Sequence, residues 1–383
     1  MVLALELAKA GIETTIFTSR SVSIAQIETD LGESIATLRI ETLPTTKRLP
    51  RLRAVRQARI DGVEASAIRA RRLDLFINCD YRSSLPGCGR ANVFYCHFPH
   101  DLRVAEARLG RRAYLGALEM ARRLLIDRNV RGSLATYEQI WANSRFTARH
   151  VEQMWGRSVQ VVYPPCDMLA PLKKKRMIVA VGRFQAGRGP GVPHKSQDYL
   201  IDAFRRLPDL HAEGWRLVLL GGASDEDQSF VTSLREQSAG LPIDIRVNPS
   251  HAEIAAAVGS ASIFWHAQGV DGDAAAHPRS QEHFGISTVE AMSAGALPLV
   301  YGAAGPAEIV EPVAALRPWQ NLQELLDATR TVVALSADAR DALAQLCVAR
   351  AHDFDRVRFA ERLRQLLSLQ PSSARATTRS NHE

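Results

Sequence analysis

No apolar run approaches the ~20 residues that a bilayer-spanning helix needs. The longest, MIVAV and LVLLGG, have the length of buried strands, so a soluble or at most peripheral protein is expected. The opening residues MVLALELAKAGIETTIFTSR carry neither a positive leader nor a small-residue cleavage site, which favours a cytoplasmic location. Cysteine is scarce and unpatterned. Cys79, Cys88, Cys96, Cys166 and Cys347 are an odd number without CxxC or Cys/His pairing, which argues for a reducing compartment and against structural zinc. A dinucleotide fingerprint is missing as well. GRGPGVP follows a strand, but its prolines and basic residue spoil the tight helix entry that motif needs, and no acidic partner follows, so a nicotinamide dehydrogenase is the least supported class.

What is present is enough for two cores. The chain has 383 residues, 46% of them hydrophobic, and a mean hydropathy of −0.12, which suits two domains of ordinary size. Its net charge of +7 comes mainly from arginine, concentrated in KRLPRLRAVRQARIDGVEASAIRARR and RVAEARLGRRAYLGALEMARRLLIDRNVRG. In the second stretch Leu109, Leu115, Leu118 and Leu125 interleave with Arg108, Arg111, Arg112, Arg122 and Arg123, the pattern of an amphipathic helix with a cationic face. A solvated face and an anionic membrane surface are the leading readings. Nucleic acid ranks last, because no recognition motif or aromatic interleaving accompanies the charge.

Strand-like and helix-like segments alternate along the chain. A helix LALELAKAG closed by Gly11 leads into the β-branched strand IETTIFTS, and later come LDLFINC, ANVFYC and VQVVYPP. PPCDMLAPLKKKR, with its prolines and lysine run, is the linker candidate. The alternation then restarts with MIVAVGRF, SQDYLIDAFRRL, WRLVLLGG, DQSFVTSLREQSAG, IDIRVN, HAEIAAAVGSA and SIFWHA. Two successive open, parallel α/β sheets are expected: a first domain over 1–168, a linker at 169–176, a second domain over 177–370, and a disordered polar tail at 371–383. Open α/β sheets bind ligands beyond the carboxyl ends of their strands, and two such domains make a cleft.

The segment EHFGISTVEAMSAGALPLVYG places Glu282 and Glu290 on either side of a helix start. Ser287 as N-cap with Glu290 three positions on fits a capping box, a purely structural role. Glu282 alone reads as an exposed loop carboxylate, yet Phe284-Gly285-Ile286 beside it offers free backbone amides. A helix N-terminus there would carry about half a positive charge, suited to a phosphate or a polyhydroxy ligand.

With these residues the chain resembles glycosyltransferase family 4, retaining enzymes of the GT-B fold. The resemblance lies in Glu-x7-Glu with its Gly-closed helix, GPAEIV, VGRF, Lys195 before SQDYLIDAFRRL, and WRLVLLGG. YCHFPHD, ANSRFTARHVEQMWG and VVYPPCD are similar to the branch of α-1,2-mannosyltransferases that extend lipid-linked oligosaccharides. The fold so implied is α/β, two Rossmann-like domains facing across a cleft.

The resemblance also implies roles. Arg183 and Lys195 would hold the donor diphosphate, with Arg188 in the insertion as the alternative cation; fixed cations stabilise a leaving diphosphate without a metal or other cofactor. Glu282 would contact the hydroxyls of the transferred sugar beside the amides of Phe284, Gly285 and Ile286, and Glu290 the ribose hydroxyls. Val247 and Asn248 fall where the nucleobase is read. His97 would face the sugar, with Pro99 stiffening the loop and His100 or Asp101 near the acceptor. Each of these is, taken alone, also an ordinary surface charge or strand-end residue.

The implied activity is transfer of a sugar, such as mannose from GDP-mannose, from a nucleotide-diphosphate sugar to a glycan or lipid-linked hydroxyl. An anionic membrane surface on the cytoplasmic side is a further expected partner, and nucleic acid is not. Retention would proceed by same-face displacement, consistent with the lack of an obvious nucleophile with its base. Family members begin with a strand and a Gly-rich turn, whereas Met1 already lies inside the first helix. A first domain truncated at its N-terminus, with an incomplete first-sheet edge, is therefore expected. A nucleotide-sugar-binding protein without turnover is the alternative; an epimerase or phosphorylase on the same fold is a third.

Overall fold

The computed structural model describes residues 1–44, 53–81, 83–100, 132–186, 194–270, 272, 274–302 and 304–367. The arginine-rich helix around Leu109, the residues Asp101 and Arg188, and the tail at 371–383 lie outside them. The chain divides into two compact units, Met1–Val162 with Ala360–Glu383, and Tyr163–Phe359.

In the first unit the helix Val2–Lys9 precedes β1 (Thr15–Thr18), which pairs in parallel with β2 (Arg39–Thr42). Gly11, at φ +82°, supplies the left-handed turn that ends the helix. A second parallel sheet has the order β3 (Leu75–Asn78), β4 (Ala91–Cys96), β5 (Gln139–Ala142), β6 (Gln160–Val161). The described strands of this unit thus form two sheets. Phe76, Phe94, Ile140 and Val151 bury their side chains in one cluster with Tyr137. Ser144, ahead of the helix Arg145–Trp155, accepts a hydrogen bond from the Thr147 amide, and Gly156 closes that helix in the left-handed region.

The second unit is a five-stranded parallel sheet in the order β11-β10-β7-β8-β9, built from β7 (Lys175–Val181), β8 (Arg216–Gly221), β9 (Ile243–Val247), β10 (Ala261–His266) and β11 (Leu297–Val300). Its central strands are apolar on both faces: Ile178, Val179, Leu217, Leu219 and Phe264 are fully buried. Such continuous runs are what helices on both sides of a parallel sheet require. Ser250 and Glu253 form a capping box at the helix His251–Ser260, and Asn321 caps Leu322–Ala334.

The division falls earlier than the expected 168, and residues 169–176 are not a free connector. Leu169 donates to Ser293 Oγ at 2.9 Å, and Leu172 to the Gly259 carbonyl at 3.0 Å. Lys174 places its ammonium on the carbonyls of Gly259 and Ala294, at 2.9 and 2.6 Å, where two helices end. Lys174 there complements both helix dipoles, while burial pushes its ammonium down to about 8. The proline and lysine content that reads as a linker is spent on docking this stretch. At the other end, residues 360–367 group with the first unit rather than with the second.

The ends of β7 and β8 are laced together by backbone. The Gly182 amide donates to the Leu220 carbonyl at 2.9 Å and the Phe184 amide to the Gly222 carbonyl at 2.8 Å. A Cβ on Gly221 would stand 1.9 Å from the Gly182 carbonyl oxygen. Neither backbone can retreat without breaking the sheet. Gly221→Ala is therefore expected to destabilise the second unit by more than about 2 kcal/mol, read as a lowered melting temperature in calorimetry. An unchanged melting temperature would contradict this packing.

Candidate functional site

The residues of interest in the second unit sit beyond the carboxyl ends of β7 and β10 and at the start of the helix Ile286–Ser293. Arg183 stands beyond β7, with one residue, Gly182, between, and is exposed, while its neighbour Phe184 is fully buried and anchors the turn. Gln197 donates from Nε2 to the carbonyls of Gly182 and Arg183, at 3.2 and 2.9 Å, which fixes the backbone under that guanidinium. Lys195 reaches the same place from the other side of the insertion. A Cβ on Gly182 would lie 2.5 Å from Lys195 Cγ, so the lysine stem runs across the bare face of that glycine. Only glycine leaves that path open.

The Lys195 ammonium is hydrogen-bonded and ion-paired to Oε2 of Glu282. On the same oxygen, at 3.8 Å, stands Nε2 of His266, the last residue of β10. Burial alone would raise the Glu282 carboxyl, but Lys195 and His266 outweigh it and hold the group well below the usual carboxylate range. His266 moves the opposite way to its partner's pull. Burial lowers its imidazole, and the nearby carboxylate offsets only part of that, so the ring is neutral near pH 7.

The peptide carrying Glu282 is clamped. Gly305 donates to the Glu282 carbonyl at 3.0 Å, and a Cβ on Gly305 would meet Phe284 Cα at 2.3 Å. GPAEIV therefore presses its backbone directly on HFG. Phe284 itself is buried among Tyr163 and Phe354, with ring centroids 5.9 and 5.5 Å away. Its side chain is thus a foundation, and what it offers a ligand is backbone. Tyr163 completes the support by donating from its hydroxyl to Glu308 at 2.6 Å.

Gly285 occupies the N-cap position at φ +109°, a conformation that suits glycine, and no side chain caps the helix that begins at Ile286. This overturns the capping-box reading. Ser287 lies inside the helix and Glu290 in its second turn, so neither serves as a cap. Ile286 is exposed at the helix mouth. The Glu290 carboxylate has no hydrogen-bond or ion-pair partner among the described residues. Burial, reinforced by the negative charge of Asp167, pushes it up to about 7.

Val247 ends β9 opposite Gly221 and is half-buried. Asn248, at φ +52°, spends its amide on Ala223, accepting from the Ala223 amide at 2.9 Å and donating to its carbonyl at 3.2 Å. His97 belongs to the first unit, just past β4. Its Nε2 donates to the Cys79 carbonyl at 3.2 Å, and burial lowers its imidazole. His100 accepts at its carbonyl from Trp155 Nε1 at 3.1 Å. In the second unit the structure thus brings Arg183, Lys195, Glu282, Gly285 and Glu290 to the carboxyl-end side of one sheet. It adds His266, Gln197 and Asp167. Of these, His266 had a legible signal: it closes a strand-like segment, SIFWHA, at the end where open sheets bind ligands.

Known proteins bear on this geometry. A model of the group 1 glycosyl transferases matches residues 169–342. The GDP-Man:Man(3)GlcNAc(2)-PP-Dol alpha-1,2-mannosyltransferase of Mus musculus is 30% identical over 187 residues, which cover 44% of this chain and 34% of that protein. Its Homo sapiens counterpart is 30% identical over 194 residues, covering 45% and 36%. The chain thus spans about a third of the length of the curated relatives it matches. Among solved structures, Anabaena HepE in complex with UDP superposes with a TM-score of 0.64 at 16% identity, covering 96% of this chain and 95% of the other. WaaG, a glycosyltransferase involved in lipopolysaccharide biosynthesis, gives a TM-score of 0.61 at 14% identity, covering 96% and 94%.

The raised Glu290 carboxyl has a consequence for stability. It binds its proton more tightly folded than unfolded, so its contribution is complete below about 4.5 and is lost as pH rises through about 7. Glu290→Gln removes that loss. The variant is expected to match the wild type near pH 4 and to exceed it at pH 8 by on the order of 1–3 kcal/mol, measured by urea unfolding across the range. Parallel pH curves for the two proteins would refute the assignment.

Proposed function

We propose that this chain, a GT-B protein whose residues 169–342 belong to the group 1 glycosyl transferases, moves a sugar from a nucleotide-diphosphate donor to a hydroxyl acceptor. The observation that carries the reading is the grouping of two cations, Arg183 and Lys195, with two carboxylates of opposite character, Glu282 and Glu290, beyond one parallel sheet.

Each member has a task that fits its surroundings. The Arg183 guanidinium has no partner among the described residues and is free to take a diphosphate oxygen in a forked bond. The Lys195 ammonium turns from Glu282 to the same diphosphate, so both cations face the charge that grows as the glycosidic bond breaks. Glu282 then accepts hydrogen bonds from hydroxyls of the transferred sugar. Glu290, whose carboxylate has no side-chain partner among the described residues, accepts from the vicinal ribose hydroxyls of the nucleotide. In the transfer itself the bond between the anomeric carbon and the leaving phosphate oxygen breaks as the acceptor oxygen bonds to that carbon from the same face. The acceptor's proton passes to the departing phosphate oxygen, and the configuration is retained. Fixed cations do the work of charge neutralisation, so the reaction is proposed to need no metal.

The mannosyltransferase relatives act, by their names, with GDP-mannose on a dolichol-diphosphate glycan. We extend this to a mannosyl donor and a glycan or lipid-linked acceptor here. No helix among the described residues is long and apolar enough to cross a membrane. The net charge of +7 supports peripheral binding to an anionic, cytoplasm-facing membrane surface.

Purified protein is expected to release nucleotide from GDP-mannose in the presence of an acceptor. Arg183→Ala and Lys195→Ala should each lower turnover by about a hundredfold or more, the scale of one lost charge-stabilising group. Donor binding should strengthen as pH rises through about 7, where Glu290 ionises, and Glu290→Gln should flatten that dependence. Full turnover in Arg183→Ala and Glu290→Ala would sink the site. Binding of GDP-mannose without turnover would make the chain a nucleotide-sugar-binding protein instead.

A further inference from the structure

His266 is a buried side chain with unfinished hydrogen bonding. Its residue is 5% exposed, and neither ring nitrogen has a hydrogen-bond partner among the described residues. Its backbone position is set by the sheet: it pairs in register with Val300, and its carbonyl accepts from the Tyr301 amide at 3.0 Å. The ring therefore cannot swing toward solvent to satisfy itself. A buried imidazole held this way needs a polar neighbour, and Glu282 is the polar group its Nε2 faces, 3.8 Å from Oε2.

The geometry at Glu282 divides the carboxylate in two. Lys195 and His266 both address Oε2, while Oε1 has no partner among the described residues. Oε1 is thus the oxygen left for a ligand. Once a diphosphate draws the Lys195 ammonium away, Oε2 would be a buried anionic oxygen with nothing on it. A small closure of the 3.8 Å gap lets the neutral ring donate from Nε2 and replace the lost partner.

We infer that His266 is a positioning residue, whose Nε2–H takes over Oε2 of Glu282 when Lys195 moves to the donor diphosphate, so that Oε1 stays aimed at a sugar hydroxyl. The inference rests on the donor site proposed above. It adds a residue that touches neither the nucleotide nor the reacting atoms. Its effect is confined to the sugar half of the ligand, because the diphosphate and ribose are held by Arg183, Lys195 and Glu290.

The test uses two probes, GDP and GDP-mannose, titrated calorimetrically into the full chain, and two variants. His266→Leu keeps the bulk without the donor, and His266→Gln returns an N–H near the Nε2 position. Wild-type protein should bind GDP-mannose more tightly than GDP. In His266→Leu the affinity for GDP should stay within about twofold, and the extra affinity for GDP-mannose should fall by about tenfold, the scale of one hydrogen bond to a charged group. His266→Gln should recover most of it. A residue that merely fills the core would lower both affinities together, with no rescue by glutamine, and that result would overturn the inference. So would an undiminished preference for GDP-mannose in His266→Leu, or no preference in the wild type. Because the readout is binding, failure of turnover is seen separately: a wild type that binds both probes without releasing nucleotide defeats the transferase reading and leaves the His266 comparison decisive.

Discussion

A carboxylate under the surface stays ionised only if cations or donors face it, and Glu282 meets that condition through Lys195 and His266. Much of the second unit is arranged around this one group. Gly182 is bare so that the lysine stem can cross it, Gly305 is bare so that its helix can bear on the glutamate's peptide, and the end of β10 delivers the histidine. A Cβ at Gly305 would force backbone apart, and one at Gly182 would displace the Lys195 stem. The charge pair is thus held by steric constraints several residues away in sequence and on different elements.

The two glutamates show how surroundings set the use of identical side chains. Glu282 faces an ammonium and an imidazole and is held strongly acidic, whereas Glu290 faces Asp167 and is pushed up to about 7. The first is committed to its negative charge; the second carries it only when the pH or a ligand favours it. An anionic ligand would be repelled by two permanent carboxylates. Lys195 neutralises the first and the second is only partly ionised, so the pair carries less negative charge than two free carboxylates would.

The parallel sheets and their placement were legible because strand-like runs such as WRLVLLGG and SIFWHA alternate with helical periods, and that alternation admits few architectures. Candidate site residues were legible through local motifs: Arg183, Lys195, Glu282, Gly285 and Glu290 each sit in a short pattern, and of these the structure pairs Lys195 with Glu282. Long-range pairings were not readable. Nothing in VVYPPCD announces that Asp167 will lie near Glu290, or that Tyr163 will bond to Glu308. Ser287 shows the converse error. Its spacing to Glu290 satisfies a capping box, but Gly285 takes the N-cap position because GPAEIV presses on the preceding residues. The linker reading of PPCDMLAPLKKKR failed for the same reason: composition shows a stiff, charged stretch, and only packing shows that Lys174 is a double helix cap.

An uncapped helix start is costly unless something else satisfies its amides. Gly285 cannot supply a side-chain acceptor, Thr288 keeps a buried hydroxyl without a partner, and Phe284 is turned into the core. The usual devices for finishing a helix are all withheld at one place, directly beside Glu282. Elsewhere in the same unit they are used, at Ser250 and Asn321. The helices Gln197–Arg205, Gln228–Gln237 and Gly305–Val310 also start without a side-chain cap, so the open start recurs in this unit, and at Gly285 it lies beside a buried carboxylate. The aromatic cluster of Tyr163, Phe284 and Phe354 packs against this start and fixes the backbone that carries it, so the exposed amides are held by the core rather than by a cap.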